Sequence, residues 1–316
     1  HMSDSPTFMH TFGPAADPIT RLGWILSAVS MLVVVVIGVL ILASLFRRRE
    51  IAGNLNELDT SPGRSDFIYI GTAASIVILV GSFVYVMAVL GETSSPQFDP
   101  AITVQVIGHQ WWWELRYSDR NGANAFVTAN EIHVPVGHPV RFILSTADVI
   151  HSFWVPQLAG KTDLIPGRRN ATWFQANTPG KYLGLCAEYC GLQHARMHVQ
   201  VVAEDAPAFR AWWGKQMAAR APPATPDIAS GENVFLSRCS ACHTIRGTLA
   251  AGKIGPDLTH VMSRATIAAG TIPNTRGFLA GWILNPGQIK PGTQMPAVPL
   301  TPAELESLLG YLETLK

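Results

Sequence analysis

The sequence is poor in charged residues and in cysteine. Only 14% of its 316 residues are charged, and 23 basic residues nearly balance 22 acidic ones, which leaves a formal net charge of +1. This balance provides no basic surface, so no nucleic-acid partner is predicted. Four cysteines could form disulfides, but they lie in two local pairs, each followed closely by histidine, an arrangement that redox cofactors explain better. We therefore interpret both pairs as cofactor sites.

Charge is also missing from two long apolar runs, residues 22–46 and 67–90. As a helix, each run is longer than the hydrocarbon core of a bilayer, which is about 30 Å thick. Both are longer than the apolar part of a signal peptide. They predict a hairpin of two transmembrane helices, with the lipid bilayer as a partner. We interpret His1 and Met2 as a remnant of expression cloning.

Arginine is concentrated between the two apolar runs. Arg47, Arg48, Arg49 and Arg64 lie in that loop, whereas only Arg21 closely flanks the other side. Because basic loops tend to remain cytoplasmic, both termini are expected outside. The sequence thus predicts a multi-pass protein of the cell (inner) membrane whose later domains are periplasmic.

The remainder of the chain divides into a β-rich part and a helical part. Short β-type runs separated by Pro-Gly and Asn-Gly turns are typical of an antiparallel sandwich or barrel. The last segment predicts a helix that is capped by Thr301 and begins at Pro302. We expect an N-terminal tail (1–20), a transmembrane hairpin (21–95), a β domain (96–205), a helix and Pro-rich linker (206–228), and a helical domain (229–316).

A cluster of soft ligands closes the β domain. Cys186, Cys190, His194 and Met197 lie within twelve residues, and His151 precedes them. Thiolate, imidazole and thioether together suit copper, and two cysteines indicate a pair of copper ions bridged by both sulfurs. In this interpretation His151 and His194 are terminal ligands, and Met197 and the backbone carbonyl of Glu188 complete the two coordination shells. The alternative is a Cys186–Cys190 disulfide beside ordinary histidine and methionine residues.

A second motif, C-x-x-C-H, opens the helical domain. Cys239, Cys242 and His243 have the spacing of covalent haem attachment, in which the histidine is an axial iron ligand. A redox disulfide is the competing interpretation. Met295, about fifty residues later in a proline-rich loop, is the candidate for the second axial ligand. Two weaker candidates are expected to have other roles, Met262 in packing and His260 at the surface.

Three adjacent tryptophans, Trp111 to Trp113, must point to both faces of a strand, so not all of them can be core. Packing is the plainer interpretation of this run. A partly exposed tryptophan near a redox centre could instead be a point at which electrons enter.

These motifs together resemble subunit II of a haem–copper cytochrome c oxidase. The resemblance covers nearly everything from residue 20 onward and is specific to the caa3 type, in which a cytochrome c domain is fused at the C-terminus. It rests on Gly108-His-Gln-Trp, Asp148-Val-Ile-His-Ser-Phe, Lys161-Thr-Asp-Leu-Ile-Pro-Gly-Arg168 and the cluster from Cys186 to Met197. It implies a multidomain fold made of a two-helix transmembrane hairpin, an all-β cupredoxin domain (Greek-key sandwich or barrel) and an all-α class I cytochrome c domain.

The resemblance also implies cofactors and partners. The copper pair would be the CuA centre and the haem would be haem c, with the Glu188 side chain facing a magnesium ion shared with subunit I. Trp111 would be the position where electrons enter, and Asp163 and Arg168 would lie at the interface with subunit I. Implied partners are the haem–copper subunit I, subunit III, and cytochrome c or a bc1-type complex as electron donor. Oxygen reduction and proton pumping would belong to the catalytic subunit, so this chain acts as an enzyme only as a subunit.

One departure keeps alternatives open. The family often begins its second membrane helix with a Glu-x-x-Trp pattern that assists proton uptake, and Asp66 stands in that region here. The chain could therefore serve a CuA-containing nitric oxide reductase instead of an oxygen reductase. A membrane-anchored copper-binding or copper-delivery protein is a second alternative, against which the haem motif argues.

Overall fold

The computed structural model describes residues 7–46, 66–96, 99–119 and 123–316. The chain divides into two compact units, Asp17–Ser94 in one and His1–Ala16 with Ser95–Lys316 in the other. The loop arginines on which the predicted orientation depends (Arg47, Arg48, Arg49 and Arg64) lie outside the described residues.

The smaller unit contains two long apolar helices, α1 (Asp17–Phe46) and α2 (Asp66–Thr93). Their mean hydropathies are 3.1 and 2.5, and both are long and apolar enough to cross a membrane. Each begins at an aspartate, which is favourable at the positive end of a helix dipole. The two predicted apolar helices are confirmed, although α1 begins four residues before the predicted hairpin boundary.

Ten strands build a two-sheet sandwich in the larger unit, as the sequence predicted. Their order in the first sheet is β3-β2-β1-β5-β8, and in the second it is β4-β10-β9-β6-β7. Neighbouring strands are antiparallel except for β1 with β5 and β10 with β4. The strands are β1 (Ile102–His109), β2 (Trp112–Ser118), β3 (Asn124–Ala129), β4 (Glu131–Pro135), β5 (Val140–Thr146), β6 (His151–Trp154), β7 (Thr162–Leu164), β8 (Asn170–Phe174), β9 (Gly180–Cys186) and β10 (His198–Glu204).

Side chains along β2 point alternately into the sandwich core and away from it, so adjacent tryptophans lie on opposite faces of the strand. Trp113, Leu115 and Tyr117 are fully buried, whereas the residues between them are only partly buried. Trp112, on the other face, stacks on His109 with ring centroids 4.3 Å apart. The tryptophan run therefore serves both faces of the strand, as expected.

The C-terminal part is helical, as predicted, with α4 beginning three residues before the predicted domain start. In α7, Thr301 forms a capping box with Glu304, which confirms the predicted cap. The backbone of Gly231 in α4 lies so close to α7 that an added Cβ would be 2.0 Å from the Ser307 carbonyl oxygen. The elements are α3 (Ala206–Met217), α4 (Pro226–Arg238), β11 (Thr266–Ile267), β12 (Ile272–Pro273), α5 (Arg276–Leu284), α6 (Pro286–Ile289) and α7 (Pro302–Leu312).

Candidate functional site

The predicted copper ligands converge at one end of the second sheet. The Sγ atoms of Cys186 and Cys190 lie 3.7 Å apart, and the Nδ1 atom of His151 is 3.9 Å from the Cys186 sulfur. On the other side, the Cys190 sulfur is 3.7 Å from His194 Nδ1 and 3.9 Å from Met197 Sδ. The carbonyl oxygen of Glu188 is 3.2 Å from the Cys186 sulfur. All six donors expected for a copper pair thus face one small volume, with a histidine at each end.

Adjacent strands and one tight turn bring these ligands together. His151 begins β6 and Cys186 ends the neighbouring β9, where Phe153 and Cys186 are register partners. The chain then loops back through a 3-10 turn at His194–Arg196, and the Cys186 amide donates to the Met197 carbonyl at 3.0 Å. All four cysteines are free thiols, so the disulfide alternative for Cys186 and Cys190 has no support in the structure.

Asp148 fixes the orientation of the His151 ring. Its Oδ1 lies 2.8 Å from His151 Nε2, which leaves Nδ1 directed at the Cys186 sulfur. The carboxylate also accepts the Gln110 and Val149 amides, each at 2.6 Å. Burial alone would raise the pKa of Asp148, but these hydrogen bonds outweigh it and lower the pKa. A carboxylate that holds the second nitrogen of a ligand histidine is the usual support of a metal site.

The two thiols share protons unequally. Their mutual hydrogen bond lowers the pKa of Cys186 far below its usual range, and the same contact raises the pKa of Cys190. Cys186 therefore forms a thiolate readily, whereas Cys190 keeps its proton unless a cation replaces it. Because metal binding displaces thiol protons, this pair is chemically suited to a cation.

The C-x-x-C-H motif lines a largely apolar cavity in the helical domain. Cys239, Cys242 and His243 are on its wall, together with Met295 and apolar side chains from α4, α5 and α7. Burial raises the pKa of the Cys239 thiol to about 11. A redox disulfide needs a thiol whose pKa is lowered, so this environment favours haem attachment over the competing interpretation.

His243 is oriented for metal binding. Its Nδ1 lies 2.8 Å from the Pro256 carbonyl, which leaves Nε2 for iron. Burial lowers the pKa of His243, which favours the neutral ring that a metal requires. The backbone of Gly255 lies against the imidazole, where an added Cβ would be 2.5 Å from Cε1. These contacts fit the donor chemistry of a haem axial ligand.

Of the three candidate second ligands, the structure places only Met295 on this cavity. Met262 packs against the hydrophobic core of the domain, as expected. The expectation for His260 was wrong, because it is buried and not at the surface. Its two ring nitrogens face the carbonyls of Lys316 and Ala218, so the ring serves to hold the C-terminus and the linker.

Trp111 lies between the two candidate sites. Its Nε1 donates to the carbonyl of Cys190 at 2.9 Å, and its side chain also lines the cavity of the C-x-x-C-H motif. Gly191 has a φ of 112°, and an added Cβ there would be 3.0 Å from the Trp111 ring. Trp111 thus contacts the backbone of a candidate copper ligand and also lines the cavity of the C-x-x-C-H motif.

One residue assigned to the partner interface, Asp163, lies on the strand next to the one that begins with His151. Asp163 in β7 is the register partner of Ser152, which follows the ligand His151. The side chains of Glu188 and Arg168 are exposed. In the described part of the chain, no hydrogen bond or ion pair engages the Glu188 carboxylate.

Sequence reasoning missed two buried ionic features between the sandwich and the helical domain. Lys290, 3% exposed, donates to backbone carbonyls of both domains. His133 bridges two carboxylates, with Glu131 Oε1 and Glu204 Oε2 each 3.1 Å from a ring nitrogen. Burial alone would lower the pKa of His133, but the two carboxylates outweigh it and raise the pKa. Glu131 and His133 are neighbours on β4, but folding alone brings Glu204 to His133 and Lys290 to its acceptors, so no local motif could have indicated these contacts.

Glu131 also links the two domains directly. Its Oε2 accepts the amide of Ala265 at 3.0 Å, while the buried guanidinium of Arg264 lies 3.3 Å from Thr128 Oγ1. His133 in turn stacks on Trp212 of α3, with centroids 4.2 Å apart. The sandwich, the linker helix and the helical domain are therefore joined by buried polar contacts.

Two family models match the chain in the order of these domains. Residues 120–204 match the periplasmic domain of cytochrome c oxidase subunit II, and residues 228–316 match cytochrome c. The chain is 38% identical over 221 residues to cytochrome c oxidase subunit 2 of Alkalihalophilus pseudofirmus, a match that covers 69% of this chain but only 62% of that protein. It is 30% identical over 259 residues to the same subunit of Bacillus subtilis, covering 76% of this chain and 71% of the relative.

Among solved structures, the chain is similar to the periplasmic domain of subunit II of the cytochrome oxidase of Bradyrhizobium japonicum. The two are 32% identical, and the alignment covers 38% of this chain and 95% of that domain with a TM-score of 0.35.

Proposed function

This chain belongs to the cytochrome c oxidase subunit II family, and we propose that it is the electron-input subunit of a respiratory terminal oxidase. Electrons would pass from a donor through the haem c domain and the cupredoxin domain to a catalytic subunit that reduces oxygen to water. The observation that supports this proposal is the position of Trp111, which donates to the backbone of Cys190 in the candidate copper site and also lines the cavity of the C-x-x-C-H motif within one compact unit.

We assign the copper-binding role to His151, Cys186, Cys190, His194, Met197 and the Glu188 carbonyl. A dinuclear copper CuA centre and haem c supply reversible one-electron transfer when bound. The protein's part is to hold the donors rigidly, and Asp148 and the strand hydrogen bonds do this. Four of the six donors, including both sulfurs of the cysteine pair, are on buried residues, which keeps solvent away from the charge that changes on transfer.

Haem attachment is assigned to Cys239 and Cys242, with His243 and Met295 as axial ligands. The Pro256 carbonyl holds His243 in the tautomer whose Nε2 faces the cavity. Met295, which also lines the cavity, would supply the second iron ligand. A thioether ligand raises the reduction potential of a haem, which suits a donor that delivers electrons to an oxidase.

We assign the face around the copper cluster to subunit I. Asp163 and Arg168 would contact that subunit, and the exposed Glu188 carboxylate would bind a magnesium ion shared with it. Subunit III, and cytochrome c or a bc1-type complex as donor, complete the expected assembly. Both apolar helices would cross the cell membrane, placing the cupredoxin and cytochrome domains outside and Asp66 at the cytoplasmic end of α2, where it could assist proton uptake.

Metal analysis of the purified native complex tests the proposal. Beyond the metals of the catalytic subunit, we expect two coppers and one c-type haem iron per chain, a mixed-valence copper signal, and oxygen consumption with a reduced donor. One exchangeable copper without haem would instead support the copper-delivery alternative. Nitric oxide turnover without oxygen turnover would support the reductase alternative.

A further inference from the structure

The side chain of Lys290 ends at the interface between the cupredoxin and cytochrome domains. It follows α6, and its ammonium is buried among three backbone carbonyls. Nζ lies 2.8 Å from the Trp111 oxygen, 2.9 Å from that of Arg196 and 3.1 Å from that of Ala268. An ammonium has three N–H donors, so this arrangement uses all of them. Two acceptors belong to the cupredoxin domain and one to the cytochrome domain.

We propose that Lys290 is a positioning residue that sets the rate of electron transfer between the two cofactor domains. Its ammonium fixes the haem-bearing domain to the backbone of Trp111 and to the turn that carries the copper ligands His194 and Met197. The inference rests on the proposed function, because it assumes that both cofactors are bound.

The contact involves the ligand turn itself. The residues on either side of Lys290 are held by the same turn: the Arg196 guanidinium donates to the Ile289 carbonyl at 2.7 Å, and the Gln193 amide donates to the Pro291 carbonyl at 2.8 Å. Three consecutive residues of the cytochrome domain are therefore attached to the segment that bears two copper ligands. A shift of residues 289–291 would move the haem cavity relative to that segment.

The opposing loop is shaped to receive this lysine. Ala268 and Ala269 have φ values of 54° and 56°, and Gly270 follows at 76°. Left-handed backbone is unfavourable for alanine, so such a run persists only where the surrounding contacts require it. Here it directs the Ala268 carbonyl to Lys290 and the Ala269 carbonyl to the His198 amide at 3.1 Å. The Ala269 carbonyl thus connects the cytochrome domain to the cupredoxin domain, and the Ala268 carbonyl holds the Lys290 ammonium from within the cytochrome domain.

A lysine in this position has no role in solubility or surface charge. Burial lowers the pKa of Lys290, so a cation is disfavoured at this site, and the hydrogen bonds to three carbonyls offset part of that cost. An apolar side chain would avoid that cost but would leave the three carbonyls short of a donor. The geometry therefore points to a residue retained for orientation.

Intramolecular electron transfer in the full chain, purified in detergent with both cofactors bound, tests this inference. After photochemical reduction of the haem, its reoxidation is followed together with reduction of the copper centre. We expect Lys290→Met to slow this step by at least about tenfold, because the transfer-competent docked population falls. Absorption and EPR spectra of both centres should be unchanged. Lys290→Arg, which keeps the charge and the donors, should recover part of the rate.

Lys253→Met is the matched control, because it removes a charge from an exposed lysine of the same domain. A Lys290→Met rate equal to that of this control would overturn the inference, as would a slowing that is fully explained by altered reduction potentials. If Lys290→Met fails to retain both cofactors, Lys290→Gln is compared in the same way, and an unchanged rate there overturns the inference. Absence of copper or haem from the unaltered chain would instead refute the proposed function.

Discussion

Substitution of Asp148 by asparagine tests how the copper site is held. The carboxylate accepts three N–H groups, from the Gln110 and Val149 amides and from His151 Nε2, at 2.6, 2.6 and 2.8 Å. Asparagine is nearly the same size but has one acceptor oxygen, and its second terminal atom is a donor. The asparagine amide nitrogen would face the Gln110 amide if it replaces Oδ2, and would face both the Val149 amide and His151 Nε2 if it replaces Oδ1.

The ring of His151 is the group most easily changed, because a histidine can move its proton between its two nitrogens. If Nε2 becomes an acceptor for the asparagine amide, Nδ1 carries the proton and can no longer bind copper. Loss of such a supporting contact reduces metal affinity by about 10–100-fold. We therefore expect a loss of about 1.4–2.8 kcal/mol in copper binding.

A chelator titration measures this loss. The full chain is loaded with copper in detergent, and the mixed-valence copper signal is followed as a Cu(I) chelator of known affinity is added. Asp227→Asn, which alters an exposed aspartate in the first turn of α4, is the control. If Asp148→Asn gives up copper at the same chelator concentration as this control, Asp148 does not support the site and the reasoning is wrong.

The haem site and the domain junction allow three further tests. Met295→Leu should convert the low-spin haem spectrum to high-spin and lower its potential, and an unchanged spectrum would mean that another residue is the axial ligand. Gly255→Ala should destabilise the haem domain by about 1–3 kcal/mol in denaturant unfolding, because its Cβ would overlap the His243 ring. Gly310→Ala, where nothing lies within 4 Å of the new Cβ, should not. The pKa of His133 is raised in the folded state, so protonated His133 stabilises the fold, fully so below the unfolded-state pKa of about 6.5. This stabilisation is lost as pH rises through the folded-state pKa, so Tm should fall over that range. His133→Gln should remove this part of the pH dependence, and identical profiles would contradict it.

The clustering of the candidate copper ligands could be predicted from sequence because the ligand types are themselves the signal. Cys186, Cys190, His194 and Met197 are close in the chain, and their softness identifies a metal before any fold is known. The final helix was predictable for a similar reason, since the Thr301 cap and the leucine spacing are local patterns. Prediction worked where the chemistry is encoded within a few residues.

The junction between the domains could not be predicted in this way. Lys290 and Trp111 are 179 positions apart, and no sequence pattern around either residue indicates that the two are in contact. His260 was expected at the surface because histidine usually is polar and exposed, but the docking of the linker and the C-terminus buries it. Such residues depend on which surfaces meet, and that is decided by the packing of the whole chain.

The position of Trp111 has a kinetic consequence. Its ring is held between the Cys190 carbonyl and the cavity of its own cytochrome domain, and that domain is tied to the sandwich by a short covalent linker. A tethered donor has a fixed effective concentration, so its encounter with the acceptor is unimolecular. We expect the internal step to be independent of protein concentration and nearly insensitive to ionic strength. Salt dependence, the usual sign of charge-guided docking, should then be confined to the arrival of the external donor.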